Sequence, residues 1–283
     1  MPDAEHGASP ARAGLVPWRR DTDGRLLVGL RGREGGSSLP SDRVDGRHPL
    51  AAALGAVDPE TRLGPPGPRR EVAGGTGSPG GWYWPVEVLG GQAAFDWRPP
   101  DSLADEAEHE VVSAATERLA VRQVVLVRHA HAGQRAQWDG PDAERPLDAL
   151  GQAQARALAG LLAAYGVQRV HSSDSRRCLE TIGPLGGALG LPVLADHLLS
   201  EDGSAADPAA AARVVADLVA QPGQAVVCTQ RKTLSRVLPG LLPRLGLEPD
   251  AVRVPRKGGL LVLHLGDAST EALSAEALGP PPV

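Results

Sequence analysis

The chain has 283 residues, enough for two domains of ordinary size. Its 42% hydrophobic and 22% charged residues are typical of a globular protein, and no apolar stretch approaches the roughly 18–20 residues that span a bilayer. The net charge of −5 gives no reason to expect a nucleic-acid duplex or a membrane as partner. Two cysteines, Cys178 and Cys228, exclude a disulfide scaffold and a cysteine-ligated zinc ribbon.

The amino-terminal segment shows no basic region followed by an apolar core, so the sequence predicts no signal peptide and a cytoplasmic location. The chain contains 35 Gly and 26 Pro residues, and their excess falls before residue 101. The first half is therefore expected to be rich in loops. The sequence indicates no particular protein partner.

The first half is predicted to be a small α+β domain at 13–100, with a polar tail at 1–12 and an acidic linker helix within 101–120. Four of the five tryptophans lie in this half, which favours a packed core. The predicted elements are strands at 13–18, 26–30 and 82–89, a short helix at 50–57, an unstructured Gly/Pro-dense stretch at 64–81, and the linker helix at 103–119.

The second half alternates apolar strands with amphipathic helices, which is typical of an α/β layered fold with a mostly parallel sheet. We predict this domain at 121–270 and a tail at 271–283. Its strands are expected at 123–127, 167–171, 192–195, 225–229 and 259–265, and its helices at 148–165, 175–189, 208–220 and 232–245. Ligands of such sheets bind at the carboxyl ends of the strands.

Polar and basic residues follow these strands. Arg128 and His129 end the first strand, where a guanidinium can bind an anion and an imidazole can attack phosphorus to give a phosphohistidine. Ser172 and Arg177 follow the second strand at the start of a helix, a natural site for an oxyanion. Glu201 lies in a later loop and could serve as a general acid.

Each of these features also has an ordinary structural interpretation. Adjacent arginines at a helix start are usually solvated, and Glu201 with Asp202 could be an acidic turn. His129 and His131 could chelate a metal from one strand face, but no carboxylate or further histidine stands at ligand spacing. The order of the motifs and their shared position at strand ends nevertheless indicate a site.

Residues 121–265 resemble the histidine phosphatase (phosphoglycerate mutase-like) superfamily. Its Arg-His-Gly strand end is matched by Arg128-His129-Ala130, and its later motifs by 145–153 and by 172–181. The resemblance implies a three-layer αβα fold and no required cofactor. It also implies that Arg128 and Arg177, rather than Arg176, bind phosphate, that His129 is the nucleophile and that Glu201 is the acid.

The sequence departs from the family pattern at two positions. Ala130 replaces the commonest glycine, and Gln230 stands where a second histidine completes the phosphate pocket. Glutamine can donate a hydrogen bond to a phosphoryl oxygen, but it cannot carry the charge of an imidazolium. Losing one charged contact to a transition-state oxyanion costs about 10²–10³ in rate, so phosphate binding could survive with slower turnover.

The first half resembles a Nudix domain of the MutT type, through 13–18, 38–40 and 48–54. A working Nudix box carries a cluster of glutamates on one helix to hold Mg²⁺. Aligned on His48, this cluster falls on 55–60, where Glu60 and Asp58 are the remaining carboxylates and Pro59 would break the helix. The box is therefore degenerate, and a structural or binding role is expected.

Three hypotheses follow. In the first, the protein is a metal-independent phosphohydrolase that acts on a small phosphorylated molecule such as a nucleotide through a phosphohistidine at His129, with Gln230 orienting the phosphoryl group. In the second, it is a catalytically impaired pseudoenzyme that binds phosphorylated ligands. In the third, an active Nudix half hydrolyses a nucleoside triphosphate, such as oxidised dGTP, with Mg²⁺.

Overall fold

The computed structural model describes residues 10–33, 36–72, 80–91, 94–117, 119, 121–248, 250, 252–266 and 271–283. The chain forms two compact units, which divide between Leu119 and Ala120. Most of the predicted tail at 1–12 lies outside the described residues, but Arg12 already begins a strand.

A mixed sheet of eight strands forms the first unit. The two longest strands, β1 (Arg12–Arg20) and β7 (Gly81–Gly90), run parallel at its centre, and the other pairs are antiparallel. The remaining strands are β2 (Leu26–Arg33), β3 (Gly36–Ser38), β4 (Ser41–Arg43), β5 (Arg62–Leu63), β6 (Arg70–Val72) and β8 (Asp96–Arg98). The predicted strands at 13–18, 26–30 and 82–89 are confirmed. The stretch predicted to be unstructured at 64–81 contains β6, and its residues 73–79 lie outside the described part of the chain.

Two helices pack with this sheet. The first, α1 (Pro49–Leu54), starts at the predicted place, with Pro49 at its first position, and ends before Gly55. The second, α2 (Glu106–Thr116), was predicted to be a linker, and that prediction is wrong. Its apolar face buries Val111 and Val112 against the strand residues of the first unit, so α2 belongs to the core of that unit.

A six-stranded sheet forms the second unit, in the order β11-β10-β12-β9-β13-β14. The first four strands in that order are parallel to one another. Strand β13 is antiparallel to both of its neighbours, β9 and β14. These strands are β9 (Val121–Arg128), β10 (Arg169–Ser173), β11 (Val193–Asp196), β12 (Ala225–Thr229), β13 (Leu260–Gly266) and β14 (Ala272–Leu278). The predicted α/β class with a mostly parallel sheet is confirmed.

Helices cover both faces of this sheet. Val124 and Leu126 of β9 pack with α6 and α7 on one face, while α4 contacts β10 and β12 and packs against α3. Both faces of β9 are buried from Val124 to Val127, which explains the apolar run at these four positions. The helices are α3 (Ala149–Ala163), α4 (Arg176–Leu189), α5 (Glu201–Ala206), α6 (Pro208–Ala220) and α7 (Arg231–Leu241).

The predicted tail at 271–283 is wrong, because β14 pairs along its length with β13. Leu278 is buried, and Glu276 is buried beside His264 of β13, with 3.2 Å between the carboxylate and Nε2. Ala and Ser fill much of β14, so the strand lacks the apolar alternation by which strands are recognised. Its partner strand supplies the apolar surface instead.

Within the described ranges, no helix is both long and apolar enough to cross a membrane.

Candidate active site

Three adjacent parallel strands bring the candidate residues to one edge of the sheet. Arg128 ends β9 and His129 follows it. Gln230 follows β12, and the turn after β10 leads into Arg177 of α4. The strand order β10-β12-β9 places these ends side by side. Arg128, His129, Arg177 and Glu201 all line one cavity of about 510 Å³, as the sequence predicts.

His129 is held as a neutral imidazole. Only 6% of its surface is exposed, and Nδ1 lies 2.7 Å from the Ala130 carbonyl oxygen. A carbonyl can only accept, so Nδ1 carries the proton and the lone pair of Nε2 remains. Burial lowers the pKa of His129 to about 3, against the effect of that hydrogen bond, and the charges of Arg177 and Arg128 add to the lowering. A neutral ring with this lone pair is chemically competent as a nucleophile near neutral pH.

This burial predicts a pH dependence of stability. The pKa of His129 is about 3 when folded and about 6.5 when unfolded, so below pH 6.5 the unfolded chain binds more protons and stability falls. Between about pH 6 and pH 3.5 this one group should contribute a slope of roughly 1.4 kcal/mol per pH unit. Urea denaturation of the wild type and of His129→Gln at pH 7.0, 5.5 and 4.5 measures it. The variant should gain stability relative to the wild type as pH falls. A difference that is constant with pH would contradict the buried neutral state.

Arg177 is fixed by a carboxylate of the same unit. The side chain is 2% exposed, and its two terminal nitrogens donate to the main-chain oxygen of Asp142 at 2.5 Å and to its carboxylate at 2.9 Å. Its Nε is buried and has no hydrogen-bond partner among the described residues. Asp142 also binds Arg145 and Arg135. Burial acts to raise the pKa of Asp142, but the Arg145 hydrogen bond and the neighbouring charges outweigh it and lower the pKa.

Arg176 is an ordinary solvated arginine, as one of the two interpretations of the sequence expects. Its side chain is 56% exposed and pairs with Glu180 one turn along α4. The motif alignment therefore selects the arginine that lines the cavity, although the two are neighbours in sequence.

Glu201 begins α5 and lies in the cavity wall. Its carboxylate is 3.0 Å from the ammonium of Lys232, and its main-chain oxygen accepts from Arg236 at 2.9 Å. Both cations are on α7, so the start of α5 is fixed against that helix. The short helix α5 is absent from the sequence prediction, which has a loop here.

Gln230 is 1% exposed and lines a second, adjoining cavity, of about 290 Å³. Its Nε2 donates to the hydroxyl of Ser175 at 2.6 Å, and Ser173 donates to the same hydroxyl at 3.1 Å. Ser172, predicted to bind phosphate, lines neither cavity, and its hydroxyl donates to the Ser173 carbonyl at 2.8 Å. The structure therefore does not support Ser172 as a ligand residue, and Ser175 stands at the cavity instead.

The motif at 145–153 supports the loop after β9. A side chain at Gly151 would lie 1.8 Å from the His131 main-chain oxygen, so glycine is required there. Asp148 caps α3, and its carboxylate also binds the ring of His131 and the amide of Gly133. His131 is thus held by a carboxylate 17 residues along the chain. This contact accounts for His131 without a metal.

Ala130, in place of the family's glycine, adopts no left-handed backbone conformation, so its methyl group causes no strain. The residue is fully buried in a small apolar cluster, and its amide donates to Thr181 at 3.0 Å. Of the two departures from the family pattern, the one at Gln230 is therefore the one that bears on the chemistry.

Five basic residues of the cavity wall were not assigned to the site from the sequence, and three of them, Arg231, Lys232 and Arg236, lie on α7. The other two are Arg145 and Lys257, and Lys257 is half-buried. The signal for Lys257 is its rarity, because the chain has only two lysines and both line this cavity. Asp142 carries no sequence signal, since an isolated aspartate in a turn is common.

The candidate Nudix carboxylates lie beyond the end of α1. Asp58 and Glu60 are exposed in a turn, and the Asp58 carboxylate accepts from the Glu60 amide at 2.8 Å. The described residues contain no group of three or more His, Cys, Asp or Glu side chains that could hold a metal ion.

The site thus combines a neutral histidine with two guanidiniums at the carboxyl edge of a mostly parallel sheet, an arrangement that is chemically suited to binding a phosphate group. Residues 124–206, which lie within the second unit, match the model of the histidine phosphatase superfamily (branch 1). The chain is also 33% identical over 212 residues to an 8-oxo-(d)GTP phosphatase of Mycolicibacterium smegmatis. The match takes in 71% of this chain and 65% of that relative's length.

Among solved structures, the chain is similar to the protein histidine phosphatase SixA complexed with tungstate, at 21% identity and a TM-score of 0.45, over 56% of this chain and 97% of that one. It is also similar to mycobacterial glucosyl-3-phosphoglycerate phosphatase Rv2419c, at 20% identity and a TM-score of 0.41, over 56% of this chain and 99% of that one.

Proposed function

We propose that the protein is a phosphohydrolase that transfers the phosphoryl group of a small phosphorylated metabolite, a nucleotide, to His129 and then to water. The observation that carries the proposal is the neutral His129, with Nε2 unprotonated, in a cavity lined by Arg128 and Arg177. The relative from M. smegmatis supports a nucleotide substrate, and its alignment is longer than the second unit, so it extends into the first.

In the first step, Nε2 of His129 attacks phosphorus, and the bond from phosphorus to the leaving oxygen breaks. Arg128 and Arg177 hold the phosphoryl oxygens and stabilise the charge that develops on them. The carboxyl group of Glu201 gives its proton to the leaving oxygen. Glu201 must hold this proton before the step begins. Lys232, which pairs with the carboxylate in the structure, therefore has to move away from it when the substrate binds.

In the second step, water attacks the phosphohistidine, the P–N bond breaks, and inorganic phosphate leaves. Glu201 takes the proton from the attacking water, so both groups return to their starting state. The fixed guanidiniums supply the positive charge of both steps, and we therefore propose that this half needs no metal. A cytoplasmic location, expected from the sequence, stays part of the proposal.

A second candidate function is binding without turnover. Gln230 supplies no positive charge, and its amide already donates to Ser175. Arg177 also donates to the Asp142 carboxylate, so some of its N–H groups are not available to a phosphate ligand. Both observations favour a slow enzyme or a phosphate-binding pseudoenzyme.

Gln230→His separates the two. An imidazolium at this position adds one charged contact to the transition state, and we expect kcat/KM to rise by about 10–10²-fold over a measurable wild-type rate. Hydrolysis of p-nitrophenyl phosphate and of a nucleotide panel is measured in EDTA and, separately, in Mg²⁺, with Gln230→Ala as the control. Activity that is found only in Gln230→His would identify a binding protein.

We propose no second activity for the first unit. The positions that would hold a Nudix metal lie in an exposed turn rather than on α1. Wild-type activity that needs Mg²⁺, survives His129→Gln and releases pyrophosphate would be the result that restores the Nudix hypothesis.

A further inference from the structure

The main cavity carries more positive charge than a single phosphate group uses. Seven of the residues that line it are Arg or Lys, and Glu201 is the one acidic residue among them. The cations are Arg128, Arg145, Arg177, Arg231, Lys232, Arg236 and Lys257. A phosphate monoester brings about two negative charges at neutral pH.

These cations fall into two groups. The inner group is Arg128, Arg145, Arg177 and Lys257, around His129. Arg128, Arg145 and Lys257 line the same cavity, and burial, together with the charges of Arg128 and Arg145, lowers the pKa of Lys257. Among the described residues, the carboxylate that forms ion pairs with this group is that of Asp142, which pairs with Arg145 and Arg177, while the charges of Asp148 and Glu201 act on Lys257 and Arg128 without an ion pair. The inner group therefore retains a positive charge that matches one phosphoryl group.

The outer group is Arg231, Lys232 and Arg236, on the first two turns of α7. Glu201 pairs with Lys232, and Arg236 binds main-chain and hydroxyl oxygens. Arg231 has no hydrogen-bond or ion-pair partner within the part of the chain that the structure describes, although its charge acts on Arg128. The outer group therefore also carries a net positive charge, next to that of the inner group.

The main chain adds to this surplus. Helix α7 has 11 residues, and the side chain of Gln230, at its amino-terminal cap, makes no capping hydrogen bond. The first amides of α7 therefore leave the positive end of the helix dipole available to an anion. A basic helix start is by itself an ordinary surface feature. This one shares its cavity with the fully buried Arg177, whose Nε has no partner in the described chain, and with both lysines of the protein.

We propose that the outer group is a second anion subsite, with Arg231 as its main ligand residue, so that the substrate is a phosphoanhydride rather than a phosphate monoester. The terminal phosphoryl group lies at His129 and the next phosphate lies at the start of α7. This inference rests on the proposed function and specifies its substrate class. A cavity of about 510 Å³ is in the size range of small-molecule sites and has room for both phosphates.

The test compares two anions that the protein cannot hydrolyse. Affinities of orthophosphate and methylenediphosphonate are measured by calorimetry on the full chain, at fixed ionic strength in EDTA. The diphosphonate should bind the wild type about tenfold more tightly, the effect of one charge-assisted contact. Arg231→Gln should remove most of that preference and change orthophosphate binding less than about twofold. Arg244→Gln, an exposed arginine just beyond the end of α7, is the matched control and should change neither.

Equal affinity for the two anions would overturn the inference, and so would an Arg231→Gln variant that weakens both to the same degree or neither. Failure of the proposed function gives a different result, in which the wild type binds no orthophosphate and shows no hydrolysis that depends on His129. Orthophosphate binding and His129-dependent hydrolysis without a diphosphonate preference would leave the phosphohydrolase standing and remove only the second subsite.

Discussion

Replacing His129 with glutamine is expected to abolish hydrolysis of every substrate that the wild type accepts. The variant lacks the nitrogen that attacks phosphorus, and loss of a covalent nucleophile lowers kcat by about 10⁴–10⁶-fold. Orthophosphate binding should persist, because Arg128 and Arg177 remain in the cavity wall. Stopped assays of phosphate release and calorimetric titration with orthophosphate measure the two effects separately.

The matched control is His171→Gln. His171 lies on β10 in the same unit, is half-buried and lines neither cavity of the site. This variant should keep wild-type activity within about threefold, since it removes no contact to phosphate. Activity that is retained in His129→Gln, or lost equally in both variants, would contradict the assignment of His129 as the nucleophile.

Arg177→Lys should be the second most damaging substitution. The guanidinium is 2% exposed and uses its two terminal nitrogens on Asp142, which orients Nε. Lysine keeps the charge but cannot bind Asp142 and phosphate in the same planar geometry. We expect kcat/KM to fall by about 10²–10³-fold, with weaker inhibition by orthophosphate. Kinetics on p-nitrophenyl phosphate with orthophosphate as inhibitor give both numbers.

The adjacent residue provides the control. Arg176→Lys changes an exposed arginine that pairs with Glu180 on the surface of α4, and such pairs contribute little. Its kcat/KM should stay within about twofold of the wild type. If Arg176→Lys and Arg177→Lys behaved alike, the structural distinction between the two arginines would be wrong.

Elements that bury an apolar face were predictable from the sequence. Strands β9 and β12 contain runs of apolar residues that are covered on both sides, and α3 has a periodic apolar face, so their positions follow from pattern alone. Strand β14 could not be found in this way, because its side chains are small and its partner β13 supplies the apolar surface. Helix α2 was located but assigned to a linker, since an acidic sequence does not show what its few apolar residues pack against.

The site divides along similar lines. Arg128, His129, Arg177 and Glu201 follow motifs of fixed spacing, and the structure brings them to one cavity.

Contacts between residues distant in sequence have no local signal. The hold of Asp142 on Arg177 spans 35 residues, and the bond from Gln230 to Ser175 spans 55. Ser172 was selected by its place in a motif, whereas Ser175, the residue before α4, is the serine that lines the second cavity.

Transfer of the phosphoryl group to His129 is the central step of the proposed mechanism, and trapping the phosphorylated protein tests it most directly. Wild type, His129→Gln and His171→Gln are incubated with ³²P-labelled acetyl phosphate in EDTA, quenched in alkali and separated from free label. A phosphohistidine is stable in alkali and labile in acid. The account predicts such a label on the wild type and on His171→Gln, and none on His129→Gln. Label on His129→Gln, or phosphate release by that variant at the wild-type rate, would contradict it.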